Sequence, residues 1–202
     1  MKKIIIKVAI CLFVCLFVLA CGPKRAVTRT SSDEVTDLSG RWNDTDSRLV
    51  SEEMIRDCLE RPWLKNFKDK KQKQPTVIVG HVSNKSYERI SVETFTKDLE
   101  RSLLNSGEVN FVATSGQRDE IRSERMDQAM HATEDTQKQE GAEAGADFIV
   151  KGQINSILDE SGGQQVRFYQ IELELINIET NQKVWIGQKK LKKVIDKKSV
   201  SW

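Results

Sequence analysis

Cysteine and histidine are scarce in this chain, and each scarcity closes a route to function. Four cysteines occur among 202 residues, and three of them (Cys11, Cys15 and Cys21) fall in the first 21 positions. Cys58 stands alone in the rest, so no disulfide can brace the fold and a packed core must do so. The two histidines, His81 and His131, have no Cys or His at metal-ligand spacing, which speaks against a zinc site. No glycine cluster opens a helix after a strand. Gly80, Gly107 and the Gly162-Gly163 pair mark turns, and Gly141-Ala142-Glu143-Ala144-Gly145-Ala146 leads into a strand, the reverse of a dinucleotide loop. A dominant charge is missing too: 32 Lys and Arg face 30 Asp and Glu. Without Lys2, Lys3 and Lys7 the basic count falls to 29 against 30 acidic residues, near −1, and nothing argues for nucleic acid.

What the chain does have is a lipoprotein start. Lys2, Lys3 and Lys7 precede an almost unbroken apolar run, Ile4 to Ala20, which closes as Val18-Leu19-Ala20-Cys21. A basic segment, a short apolar segment and a small residue at the cut describe a secretory signal. A membrane-spanning helix needs roughly 20 apolar residues, and this run sits at the short edge of that range, followed at once by Gly22 and Pro23. Residues 1–20 are therefore expected to be a cleaved signal peptide. The cysteine after the cut resembles a bacterial lipobox, which implies a diacylglycerol thioether and an N-acyl chain on Cys21. Each buried methylene adds about 0.8 kcal/mol, so such an anchor exceeds the marginal single-chain case. By resemblance to lipoprotein sorting, Gly22 implies the outer membrane, with the protein facing the periplasm.

Residues 21–37 are nearly devoid of apolar side chains and rich in Ser, Thr and charge, which predicts a flexible tether. About 16 residues of such chain span roughly 20–25 Å on average and roughly 55 Å fully extended. Residues 38–202 then form one domain. A helix is predicted from about Ser47, with Leu49, Val50, Met54, Ile55, Cys58 and Leu59 on its apolar stripe, ending near Pro62. Trp63, Leu64 and Phe67 extend it, and Lys68 to Lys73 read as a solvated loop. Pro75 to Val82 is a buried strand. Ser91 caps a helix with Val92, Phe95, Leu99, Leu103 and Leu104 on one face, stopped by Asn105-Ser106-Gly107. Val109 to Val112 is a short strand. Ser115 to Glu140 is a charged helical segment with a break near His131-Ala132-Thr133.

Three strands close the chain. Phe148 to Ile154 is followed by a turn at Ser161-Gly162-Gly163-Gln164. Val166 to Glu179 alternates strictly, with Tyr169, Ile171, Leu173 and Leu175 on one side and Phe168, Gln170, Glu172 and Glu174 on the other. After Thr180-Asn181-Gln182, Lys183 to Val194 returns with Val184, Ile186 and Leu191 inward. The expected architecture is α/β: a mixed sheet ending in an antiparallel meander, with helices packed on it.

No catalytic constellation is visible. A hydrolase needs an activated nucleophile beside a base. His81 near Ser83 and Ser86 is the nearest approach, and a strand-end side chain satisfied by the turn explains it better. Glu172 and Glu174 lie two apart on an outward face and should be solvated. Cys58, on an apolar stripe, reads as a small buried hydrophobe. The chain is expected to be no enzyme and to hold no metal or cofactor.

Four segments carry a resemblance. Asp37-Leu38-Ser39-Gly40-Arg41-Trp42-Asn43-Asp44-Thr45-Asp46-Ser47, with Glu52-Glu53-Met54-Ile55 behind it, resembles the LpoB family of penicillin-binding-protein activators. So do Val79 to Ser86, Gly145 to Ile154 and Glu172 to Thr180. The Gly-Ala-Asp strand is shared more widely, with folds like the TolB N-terminal domain and with the curli secretion lipoprotein CsgG. The LpoB resemblance implies a TolB N-terminal-domain-like fold. It also implies an outer-membrane lipoprotein that reaches across the periplasm to bind and stimulate a class A penicillin-binding protein, regulating peptidoglycan synthesis. No small-molecule substrate and no nucleic acid enter that reading, and no contact residue is carried over. The CsgG-like resemblance implies the rival, a structural or secretion-associated envelope lipoprotein that assembles with itself or with an outer-membrane pore.

Overall fold

The computed structural model describes residues 27–31, 34–139, 141 and 143–196. The signal segment and Cys21 lie outside the described residues. Val35–Trp202 is one compact unit; of residues 1–34, those described carry no helix or strand.

Helix α1 is Asp44–Leu59, and it starts three residues before the predicted Ser47. Asn43 explains the earlier start. Its side chain accepts from the Asp46 amide at 3.0 Å, and the Asp46 carboxylate accepts from the Asn43 amide at 3.0 Å. This reciprocal cap satisfies two amides that a helix start leaves unpaired. Val50, Met54, Ile55 and Cys58 are buried as the stripe predicts, while Leu49 is exposed and the small Ser47 and Ser51 take its place inside.

Helix α2, Pro62–Lys71, begins with proline at its first position, where no amide partner is lost. The predicted basic loop is mostly helix. Lys68, Lys70 and Lys71 occupy the last turn, where cations complement the exposed carbonyls, and Gln72 ends it at φ 53°. Trp63 and Phe67 meet Phe148 edge-on, with ring centroids 5.0 and 5.3 Å apart.

Strand β1 is Thr76–Asn84, helix α3 Val92–Asn105 and strand β2 Asn110–Phe111. Phe95, Leu99 and Leu103 of α3 are buried, but Leu104 is exposed. Asp98 fills the remaining buried position and accepts from the Ser47 hydroxyl at 2.6 Å, tying α3 to α1. Helix α4, Ser115–His131, has no buried residue. Arg122 and Arg125 hold it to Glu143 at 2.9–3.0 Å. It ends where the break was predicted, and no helix resumes within residues 132–139.

Strands β3 (Phe148–Ser161), β4 (Gln164–Asn177) and β5 (Lys183–Asp196) complete a five-stranded sheet in the order β2-β1-β3-β4-β5. β1 is parallel to β2 and β3; β3, β4 and β5 run antiparallel. Gly162 (φ 57°) and Gly163 (φ 82°) make the two-residue turn whose positive torsions match strand twist. Helices α1, α2 and α3 pack on the face that carries Tyr169, Ile171, Leu173 and Leu175, which are all buried as the alternation predicts. Full burial of such side chains contributes about 1.5–3 kcal/mol each.

β5 departs from its predicted register. The ladder shifts between Leu175 and Ile176, so Trp185 pairs with Leu175 and Lys183 with Ile176. Val184 is the extra residue, a bulge that reverses the alternation after it. Trp185 turns inward, Val184 is half-buried, and Ile186 is 62% exposed, whereas Ile186 had been placed inside. Trp185 lies over Gly187, and its indole donates to Asp57 at 2.8 Å.

Leu173 sits between Gly152 of β3 and Gly187 of β5. A Cβ on Gly152 would meet the Glu172 carbonyl oxygen at 2.3 Å, a backbone atom that cannot step aside. Gly152→Ala should therefore lower stability by about 1–3 kcal/mol, the cost of overpacking a filled core. Urea denaturation measures this, and an unchanged midpoint would contradict the packing.

Candidate docking surface

The end of the sheet beside the β3–β4 turn gathers four separate stretches of sequence. Residues 37–43 cross it as a strap. Trp42 sits edge-on to Phe95 of α3 and Tyr169 of β4, at centroid distances of 5.9 and 5.7 Å. Gly40, at φ +63°, lies so close to β5 that a Cβ would meet Ile195 at 2.4 Å. Lys193 of β5 donates to Asp37 and Asp46 at 2.6 Å each and to the Arg41 carbonyl at 3.3 Å. One lysine thus holds both the strap and the start of α1.

The charges here are paired by register. Leu158, Arg167 and Lys193 face one another across β3, β4 and β5. Arg167 is ion-paired with Glu88 from the loop after β1 and donates to Gln165 at 3.1–3.2 Å. Gln165 donates to Glu160 at 2.8 Å, and the other Glu88 oxygen accepts from the Trp42 amide at 3.3 Å. Burial, seconded by the Glu88 carboxylate, pushes the Tyr169 phenol up to about 12. Burial pulls Lys193 down, but its bonds to Asp37 and Asp46 outweigh that and raise it above its ordinary value. Asp46 moves the other way: burial lifts its carboxyl despite Lys193. The pair is retained for its geometry, because partly buried ions give little net stability.

Beyond this network the same end is apolar and open. β1 stops at Asn84, opposite Ile154, and the last bonds on that flank are Lys85 N–H to Ile154 O at 2.8 Å and Tyr87 N–H to Ser156 Oγ at 3.3 Å. Among the described residues no strand pairs with β3 past that point on this side. Tyr87 is 88% exposed, Ile157 63%, Val194 57% and Leu158 50%. An exposed apolar group beside an unpaired strand edge is the kind of surface that proteins reserve for partners. Sequence reading missed it. No pattern singled out Tyr87 or Glu88, and Asn155 to Ser161 lacked the apolar run that marked the first half of β3.

The residues weighed for chemistry are dispersed. His81 is exposed at a bulge between Val79 and Val82. Ser86 spends its hydroxyl on Asn84 Oδ1 at 2.6 Å and the Glu88 carbonyl at 3.1 Å, and no hydrogen bond joins His81 to Ser83 or Ser86. Glu172 and Glu174 lie on the sheet face away from α1–α3. Glu174 is bound by Lys183 at 2.7 Å and Glu172 by glutamine amides. Cys58 is fully buried, and burial pushes its thiol up to about 12. Among the described residues no cluster of His, Cys, Asp and Glu could hold a metal ion. The described structure does not bring these candidate residues together into one site.

The alkaline limb of stability follows from Tyr169. Its pKa is raised in the folded state, so its contribution is whole below the unfolded phenol's 10.0 and is lost as pH rises toward about 12. Denaturant titrations from pH 9 to 12 should show stability falling by no more than about 3 kcal/mol on this account. Tyr169→Phe should flatten that fall; an equally steep fall would remove the assignment.

A family model described as the peptidoglycan-synthase activator LpoB matches residues 46–191. No curated protein matches the chain. Among solved structures, the LpoB C-terminal domain from Salmonella enterica is 13% identical, with 72% of this chain and 98% of that one covered, at a TM-score of 0.43. The NMR structure of Escherichia coli LpoB is 13% identical over 84% of this chain and 81% of that one, at 0.41. Lipoprotein GNA1162 from Neisseria meningitidis is 12% identical over 59% and 83%, at 0.38. Among the described residues no helix is long and apolar enough to cross a membrane. The matched stretch runs from the first turn of α1 to Leu191 in β5, and the chain belongs to the LpoB family of peptidoglycan-synthase activators.

Proposed function

We propose that this protein is an outer-membrane lipoprotein that binds a class A penicillin-binding protein in the periplasm and raises its activity. The observation that carries the reading is the family match, which spans nearly the whole folded unit. Cys21, with its diacylglycerol and N-acyl lipid, holds the chain at the membrane, and residues 21–37 serve as the tether. The domain works without cofactor or metal and turns over no substrate of its own.

The hairpin end is the docking face. Tyr87 and Ile157, beside the open edge of β3, supply the apolar centre, and Lys85, Arg89 and Asp159 are the charged neighbours in sequence that rim it. The strap that roots the tether crosses the same end, so a partner bound there meets the domain on its membrane-linked side. Activation then requires only that the domain bind the active conformer of the synthase better than the inactive one. A tenfold shift needs about 1.4 kcal/mol of difference, well within what one buried aromatic supplies.

Lipid-free protein added to the purified cognate synthase should raise glycan polymerisation while showing no turnover alone. Tyr87→Ala with Ile157→Asp should weaken binding by about tenfold or more, the loss of an interface anchor, with the thermal melt preserved. No stimulation and no pull-down by the wild type would sink the activator reading; a fully active double variant would move the docking face elsewhere. Cys21→Ala should release the protein from the membrane fraction, and retention there would refute the lipid anchor.

A further inference from the structure

The sheet face opposite α1–α3 carries a row of polar side chains that the docking surface does not use. Ser83 of β1, Gln153 of β3, Glu172 of β4 and Gln188 of β5 are successive partners across four strands. In the next row Asn155, Gln170 and Lys190 are aligned in the same way. Neighbouring strands lie about 4.8 Å apart and same-face rows roughly 7 Å, so the patch is flat and wide.

Glu172 organises it. Gln153 and Gln170 donate their amide nitrogens to its two oxygens at 2.9 and 2.6 Å, and Gln188 donates at 3.3 Å. These bonds, Gln153's foremost, hold the carboxyl below its usual range. They also orient the amides. Each glutamine has spent a donor on Glu172, which leaves its carbonyl oxygen and second N–H for something outside. Lys151 and Lys190 flank the patch, both exposed, and beyond it come Phe168 and the exposed Lys192.

We infer that this face binds the peptidoglycan strand itself, a polymer of hydroxyl- and N-acyl-bearing sugars with carboxylates on its peptide stems. Fixed amides match the neutral, hydrogen-bonding sugars, Phe168 offers an apolar edge to a ring face, and the lysines complement the stem carboxylates. The central carboxylates Glu172 and Glu174 oppose a polyphosphate, which separates this face from a nucleic-acid surface. The inference rests on the proposed function only for the identity of the polymer, and it gives the tethered domain a second hold within the layer where its synthase works.

Purified sacculi are the probe, with lipid-free protein in co-sedimentation. Wild type should pellet with the sacculi. Gln153→Ala with Gln170→Ala should lower the apparent affinity about tenfold or more, at roughly fivefold per lost hydrogen bond. Lys151→Ala with Lys190→Ala should weaken binding and reduce its salt dependence. Circular dichroism confirms that each variant is folded. In parallel, pull-down of the synthase in detergent without peptidoglycan should be unchanged by the glutamine pair. Wild type left in the supernatant, or a glutamine variant that pellets as well as wild type, would overturn the proposal. Loss of synthase pull-down in the glutamine variant would overturn it too, by making the face a protein interface. Sacculus binding that persists when the wild type fails to stimulate the synthase would leave this site standing while the activator reading falls.

Discussion

The pairing of β4 along its whole length, with β3 on one side and β5 on the other, is the constraint from which the rest of the structure follows. A central strand cannot slip by one residue without turning its buried set to solvent. Here that set is Tyr169, Ile171, Leu173 and Leu175, all essentially inaccessible. The glycines flanking Leu173 let the neighbouring strands come close on both sides, and Trp185 covers one of them with its ring. Because the register is fixed, so is the opposite face: Gln170, Glu172 and Glu174 must point away from the helices, where they form an ordered polar surface.

The same ladder carries β3 from Asn155 to Ser161, seven residues beyond its last pair with β1, and that overhang needs support of another kind. The helix layer does not extend over it. Instead the chain folds its own lead-in across the gap. Trp42 fills the space between Phe95 and Tyr169, Lys193 ties down Asp37 and Asp46, and Arg167 meets Glu88. Paired ions of this sort add little stability once desolvation is counted, yet an unpaired arginine or lysine at the same place would cost several kcal/mol. Their effect is to fix one position for the strap. On the outer flank nothing equivalent among the described residues covers Ile157 and Tyr87, so there the overhang is braced on one side and open on the other.

Much of this was legible in the residues. Element order came from periodicity: three to four in α1 and α3, two in β4. The two-glycine turn and the stop at Gly107 came from torsions that other residues resist. The failures share one physical origin, which is that they depend on a partner strand. The bulge at Val184 answers a shift in the pairing with Leu175 and Ile176, and no pattern within β5 alone distinguishes Trp185 inward from Ile186 inward. The second half of β3, Asn155 to Ser161, is polar but for Ile157 and Leu158 and is held extended by β4. The open end was missed for the same reason, since Tyr87 and Ile157 are remote in sequence and are brought to one edge only by the fold. The segment Asp37 to Ser47 was noticed for its likeness to a family, and the structure gives that likeness a cause: its Gly, Trp, Asn and Asp are each used in closing the strap.

A protein of the activator kind would act through the difference between two binding energies, and such a difference is best delivered by a surface that does not itself adjust. A flexible patch would relax to suit either conformer of a partner and so discriminate poorly. Ile157 rides on a strand bonded along its length, and Tyr87 is held by its amide to Ser156. Asp37 of the strap and Asp46 of α1 share the one ammonium of Lys193. The strap and Tyr169 beneath Trp42 thus form the base of the same overhang that carries Ile157, so the part of the surface left open rests on a part that is held from several sides.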